Sequence, residues 1–414
     1  MVVSPLETLA NKYDNVIIYD DRGDVAGVFV KFYKCKSSDL VAGLPNHTHP
    51  AFIINGVEQD YILLGKYKAS YYTSTDYRGV PLGLPRYASN PAYMFNAIKA
   101  SSPVVSCMTV ADYGFLKLWA QKYGIVLKGN TQYGQDVRDA TVWKIGESYS
   151  ADDERAYEGW LYKALVNHTS AAANKPDIAP MVWKRIKMIG GLMSPSDPYA
   201  ASSSYDSRTR TRTGSGPLDW FFGSDPGSLA DLCTGLAELQ AGYRMVNMEL
   251  QILPNNDAAD PAADLSATSE GWKAILPTGS GGGYELVTPG TAGTLHWRRE
   301  NSVIVLDNRA PDESELTNST PNRAFKDLTA SSTLTDVPSI VKEMGLFPTD
   351  SSDKTSGTVL LQMTANERLP IRGSIYSVSS ASIVGMGGCR YNVIRGDTAY
   401  YHSIRPRALV VSGT

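Results

Sequence analysis

Apolar residues recur along this chain in two periods. In the first seventy positions they alternate with polar ones in short runs, at 15–19, 27–33 and 61–72. Turn signals such as Asp21-Arg-Gly-Asp24 divide them, and Pro81-Leu-Gly-Leu-Pro85 follows the last. Alternation of period two, rich in β-branched and aromatic residues, predicts strands. The period then lengthens. Asn90 caps a predicted helix that opens on Pro91 and carries Met94, Phe95 and Ile98 on one face. Thr109, with Asp112 three residues on, opens a second one, with Phe115, Leu116 and Trp119 as its apolar stripe and Gly124 as its stop.

Two further helical stretches are expected between 147 and about 191, one opening on Asp152-Asp-Glu-Arg155 and one on Trp183-Lys-Arg-Ile-Lys187. Residues 194–217 turn Ser-, Thr-, Arg- and Gly-rich and read as an exposed loop. Strand-like runs return at 243–253, 294–298, 303–307, 359–363, 373–378 and 408–411. One late helix is expected over 337–344, with Pro338 early and Gly345 as its stop. No repeat of fixed period is present. Helices early, many short strands later and long connections between them predict an α+β fold.

Composition narrows the classes. The chain has 414 residues, 43% apolar and 20% charged, enough to bury a sizeable core. A net charge of −3 argues against a non-specific nucleic-acid binder. The opening residues have neither a basic nor an apolar leader region, so no secretory signal is expected, and no run is apolar enough for membrane insertion. Cys35, Cys107, Cys233 and Cys389 lie far apart, which predicts reduced thiols rather than a zinc site or disulfide framework. With 24 Tyr against 9 Phe, the chain favours an aromatic residue that gives rigid contact area with a polar tip.

Candidate chemistry is sparse. His47-Thr-His49 could offer two imidazoles to a metal, but nothing nearby completes a ligand shell, and Asn46 and Pro50 favour a turn. Asn255-Asn-Asp257 with Asp260 could hold calcium, although a capped turn is favoured. The run Gly279-Ser-Gly-Gly-Gly283 lacks the Lys-Ser/Thr of a phosphate loop and reads as a hairpin. No catalytic constellation emerges. Residues 374–402, by contrast, contain no Lys, Glu, Gln or Trp, and their polar content is Tyr, Ser, Arg, Asn, Asp, Thr and His. That is the palette of a contact surface, and an ordinary Ser/Gly-rich hairpin region fits it equally well.

Several phrases then resemble one family, the C-type-lectin-fold proteins of phage tails, which include the variable proteins of diversity-generating retroelements. They are His49-Pro-Ala-Phe52, Leu64-Gly-Lys-Tyr67, Cys107-Met-Thr109 leading to Trp119, Gly129-Asn-Thr-Gln-Tyr-Gly134 and Thr213-Gly-Ser-Gly-Pro217. Further on come Glu249-Leu-Gln-Ile-Leu-Pro-Asn-Asn-Asp-Ala-Ala259, Gly345-Leu-Phe-Pro348, Arg368-Leu-Pro-Ile-Arg-Gly373 and Arg407-Ala-Leu409. The resemblance runs in order from about residue 45 to the end. In that family, adenine-directed mutagenesis of Asn-type codons never yields Lys, Glu, Gln, Met or Trp. Residues 374–402 obey this except at Met386, which must then be a fixed scaffold position.

The resemblance implies an elaborated C-type lectin fold over 45–414, with an insertion at about 147–217 and a variable binding region at about 374–402. A β-rich segment, 1–44, would precede it and serve attachment or oligomerisation. It implies no enzyme and no cofactor, but a receptor-binding protein at the tip of a phage tail fibre. Such a protein is a homotrimer in the virion that meets other tail proteins and a bacterial surface protein or glycan. The contacts would be Tyr376, Ser377, Ser379, Ser380, Arg390, Tyr391, Asn392, Asp397, Tyr400, Tyr401 and His402. Two alternatives are a structural tail or baseplate component without receptor binding, and an oxidase of the formylglycine-generating type. The oxidase would need a late cysteine pair where only Cys389 stands.

Overall fold

The computed structural model describes residues 4–86, 89–132, 134–193, 210–374, 384–398 and 402–409. The architecture is mixed α and β, mostly sheet with few helices, 17% helical and 32% strand. The described residues include five α-helices, and three of them open on the side-chain caps written in the sequence. In α1 (Pro5–Lys12), Ser4 and Glu7 form a reciprocal capping box that the period-two reading of this region passes over. The short α2 spans Ser37–Leu40. Asn90 caps α3 (Pro91–Lys99), and Thr109 with Asp112 forms the box of α4 (Val110–Tyr123), which ends on Gly124 at φ +62°. The late helix is α5 (Ser339–Glu343), followed by Gly345 at φ +62°.

Three sheets hold the core. The first is antiparallel throughout, in the order Val16–Tyr19, Val25–Tyr33, Tyr61–Gly65, Pro406–Ala408, Val105–Cys107. The ladder between Val25–Tyr33 and Tyr61–Gly65 ties the N-terminal segment into the same sheet as the C-terminal strand. The second sheet has six strands, ordered Asn322–Ala324, Thr358–Leu361, Cys389–Val393, Leu369–Arg372, Ala237–Leu239, His402–Ile404, of mixed direction. The third is built on hairpins. Tyr243–Val246 turns into Glu249–Ile252, His296–Glu300 into Val303–Asp307, and Lys273–Pro277 into Tyr284–Val287 across the glycine run, as expected.

Helices α4 and α5 pack into the core that these sheets enclose. Phe115 of α4 meets Phe32 and Phe52 edge-on, at ring centroid distances of 5.6 and 5.0 Å. Met344, Val341 and Ile340 around α5 join Trp297, Leu306 and Tyr391 in the cluster between the second and third sheets.

The stretches expected as helices between 147 and 191 are strands instead. Glu154–Tyr157 pairs with Trp160–Ala164, which pairs with Trp183–Met188. Glu158 and Gly159, both at positive φ, make the two-residue turn that favours a tight hairpin. The charged side chains stand on the outer face, while Tyr149, Tyr162 and Trp183 form a small core of their own. Of the expected strands at 373–378 and 408–411 only the first two residues each are described: Gly373 sits at φ +87° where the strand Leu369–Arg372 ends, and Ala408 closes the strand Pro406–Ala408; residues 375–378, 410 and 411 lie outside the described residues. The part of 194–217 that is described, from 210, is not an open loop. Thr213 is buried, its hydroxyl donating to the Val80 carbonyl at 2.8 Å, and Asp231 accepts the Gly214 N–H at 2.7 Å.

Candidate functional site

The region from 372 to 407 is framed by three buried arginines. Arg372 closes the strand Leu369–Arg372 and donates to the carbonyls of Met344 (3.3 Å), Gly345 (2.7 Å) and Met386 (3.4 Å), lying 4.5 Å over the Tyr113 ring. Arg405 stands where the chain leaves the second sheet for the first. Arg407 faces Asp112 at 3.0 Å and donates to the Ala51 carbonyl at 3.2 Å, so Asp112 serves both as cap of α4 and as counter-ion. Many phrases that carry the family resemblance meet here. Arg407 pairs with Leu64 across the ladder, Thr109 bridges to Ala241, and Gly129 lies so close to Cys233 that a Cβ would stand 2.5 Å from its carbonyl oxygen. These phrases are scaffold.

Between the arginines, the strand Cys389–Val393 alternates. Cys389, Tyr391 and Val393 point into the core, and Arg390 and Asn392 are half-buried on the other face. Asp397 is exposed. Two residues expected to be surface contacts are therefore interior. Tyr391 is 1% exposed, its ring 5.7 Å from that of Tyr243, and burial pushes its hydroxyl well up. His402 is fully buried, its Nε2 2.9 Å from the Ser89 carbonyl, and burial lowers its pKa. The reason is positional. Tyr391 falls on the inward phase of a strand paired on both sides, and His402 begins a strand that pairs in parallel with Ala237–Leu239. Tyr376, Ser377, Ser379, Ser380, Tyr400 and Tyr401 lie outside the described residues. Met386 is 5% exposed in the cluster around α4, as a fixed scaffold position requires.

Five arginines face one aspartate between 372 and 407, which suggests cations free for an anionic partner. Arg395 is not free. It forks onto Glu367 at 2.9 and 2.8 Å and donates to the Leu265 carbonyl at 2.6 Å. Burial alone would raise the Glu367 carboxyl, but hydrogen bonds and charge from Arg395 and Arg244 hold it below its ordinary range.

The remaining candidates are structural. His49 is fully buried. Its Nδ1 accepts from the Ala51 N–H at 3.2 Å and its Nε2 donates to the Glu343 carbonyl at 3.1 Å, while His47 Nε2 lies 2.7 Å from the Glu343 carboxylate. The two imidazoles thus clamp the end of α5. Asp260 caps its own turn by accepting the Ala262 N–H at 2.8 Å, and Asp257 and Asp260 receive the backbone and side-chain amides of the distant Asn55 at 3.0 and 2.7 Å. Among the described residues, no three His, Cys, Asp or Glu side chains gather as a metal site. All four cysteines are free. No helix among the described residues is long and apolar enough to cross a membrane. No family model matches the chain, and no curated protein sequence matches it.

Proposed function

We propose that this chain is the receptor-binding protein of a phage tail-fibre tip, presenting a variable surface at about 374–402 on a C-type-lectin scaffold. Its partner is a protein or glycan of a bacterial surface, met by a homotrimer in the virion. One observation carries the reading. Within 374–402 the single residue that adenine-directed mutagenesis cannot produce, Met386, is buried in the core, whereas Arg390, Asn392 and the exposed Asp397 all belong to the permitted palette. A scaffold bolted at Arg372, Arg405 and Arg407 lets outward residues change without disturbing the interior. Several copies of a weak site then combine into useful avidity.

The formylglycine-generating reading has less support. Burial pushes the Cys389 thiol up, the opposite of what an activated cysteine needs. A pull-down of the purified protein on candidate host cells tests the proposal. Attachment that is lost in an Arg390→Ala, Asn392→Ala, Asp397→Ala triple variant supports it. Absence of attachment to any host favours the structural tail component. A near-copy of the gene's 3′ end beside a reverse transcriptase would mark active diversification.

A further inference from the structure

The third sheet carries a different kind of site. Its inner face is apolar, formed by Leu250, Ile252, Trp297 and Leu306, so strand alternation puts Glu249, Gln251, His296 and Asp307 on the opposite face. The register joins them, because Glu249 stands opposite His296 and His296 opposite Asp307. That face is not open to water. Glu249, Gln251 and Asp307 are buried, and His296 is 6% exposed. Beside them opens a cavity of about 670 Å³, walled by the loop 289–293 and by Val246, Arg309 and Ala310.

Most polar groups around the cavity are already satisfied. The Glu249 carboxylate accepts from the Gly290 N–H at 3.0 Å, the Thr294 hydroxyl at 2.6 Å and the Gln251 amide at 2.7 Å. Asp307 takes Arg298, Arg309 and Thr333; burial alone would raise its carboxyl, yet these bonds hold it well below the ordinary range. Two of the groups left over belong to His296 and Arg309. His296 Nδ1 lies 2.9 Å from the Thr294 carbonyl and must donate to it, so Nε2 is a bare acceptor with no partner among the described residues. Burial keeps this ring neutral by lowering its pKa. Arg309 spends Nε and Nη2 on Asp307 and Glu300, and its Nη1 donors have no partner among the described residues.

The chemistry of the occupant follows by elimination. A cation finds the Glu249 lone pairs taken. An anion meets Glu249, Asp307 and Glu300, with Arg309 already neutralised by two of them. A wholly apolar molecule would displace water from His296 Nε2 and Arg309 Nη1 and give them no partner in its place. A hydroxyl both donates and accepts, and Val246, Pro289, Ala292 and Ala310 offer apolar surface to ring C–H groups. We propose that this cavity binds a neutral sugar ring through hydroxyls that donate to His296 Nε2 and accept from Arg309 Nη1. The inference does not rest on the receptor reading, and none of its residues lies between 374 and 402.

Saturation-transfer NMR on the full chain tests it, with the methyl glycosides of glucose, galactose, N-acetylglucosamine and rhamnose as probes. Transfer to at least one glycoside is expected. It should fall at least tenfold in Ala292→Trp, where an exposed rim residue gains an indole that fills the cavity, and in Arg309→Ala. Ala292→Trp should keep the parent melting temperature, whereas Arg309→Ala should lower it, because the buried Asp307 loses one of its two arginines, so its transfer is read well below its own melting temperature. No transfer to any of the four glycosides, or transfer that persists in both folded variants, overturns the proposal. Cell attachment is not a readout here, so the result stands whatever becomes of the receptor reading.

Discussion

Arg405 and Glu238 meet in full burial. The guanidinium forks onto the carboxylate at 2.9 and 2.6 Å, and its remaining donors go to the carbonyls of Gly65, Lys66 and Ala230 at 2.9, 2.9 and 2.7 Å. Lys68, also buried, lies 3.6 Å from the same carboxylate. Burying charge is costly unless every donor finds an acceptor, and here each one does.

Arg405→Leu should therefore destabilise the protein by about 3–5 kcal/mol, because it leaves Glu238 facing only Lys68. The double variant Arg405→Leu, Glu238→Leu should recover part of that loss. Urea unfolding of the single and double variants measures it. A single variant as stable as the parent would show that the pair contributes little.

Strand phase makes a second contrast. Tyr391→Ala should cost about 3–5 kcal/mol, as for other large aromatic truncations in a core. Asp397→Ala, six residues on and exposed, should stay within about 0.5 kcal/mol. Thermal melting of the two side by side decides. Any binding defect of Tyr391→Ala must accordingly be corrected for unfolding before it is read as a lost contact.

Two hairpin turns share a backbone and differ in what they bury. Asn301 and Ser302 both have positive φ and are exposed, whereas Asn247 and Met248 have the same backbone but Met248 is 1% exposed in the core. Ser302→Gly should stabilise by about 0.5–1 kcal/mol, since a left-handed conformation suits glycine. Met248→Gly should destabilise by more than about 2 kcal/mol, because the lost packing outweighs the backbone relief. Chemical denaturation of both variants checks the signs.

His49 sets a pH dependence. Burial pushes its pKa down to about 3, against a weaker upward pull from the Glu343 carbonyl. An unfolded chain binds a proton near the ordinary histidine value of about 6.5. Between these two values the unfolded state holds more protons, so stability falls as pH drops from about 6.5 towards 3. In His49→Gln the difference in melting temperature between pH 7 and pH 4.5 should shrink. An unchanged difference would assign the acid sensitivity to other groups.

The elements legible in the sequence were those closed by local chemistry. Asn90, the Thr109–Asp112 box, Gly124 and Gly345 each act within a few residues of themselves, and the helices they bound are where the pattern puts them. The Ser4–Glu7 box was equally local and equally readable, but the β-rich neighbourhood hid it. The stretches at 154–188 misled because dense charge with scattered aromatics fits a helix face as well as the outer face of a hairpin. Only the Glu158-Gly159 turn separated the two. At the candidate site, composition singled out a stretch without giving its strand phase. The partners of Arg395, Arg405 and Arg407 lie 28, 167 and 295 residues away, beyond the reach of any local pattern.

The chain changes sheets at Arg405, and the strand it then adds, Pro406–Ala408, sits between Tyr61–Gly65 and Val105–Cys107. Two strands translated early therefore wait until residues 406–408 have emerged from the ribosome before they gain their shared neighbour. A stop codon or frameshift anywhere in 374–402 would remove that wedge along with the three arginine bolts' last two members. The products would fail to close and would be cleared as unfolded chains. The topology thus works as a reading-frame checkpoint, in which only chains translated in frame through 374–402 can complete the first sheet.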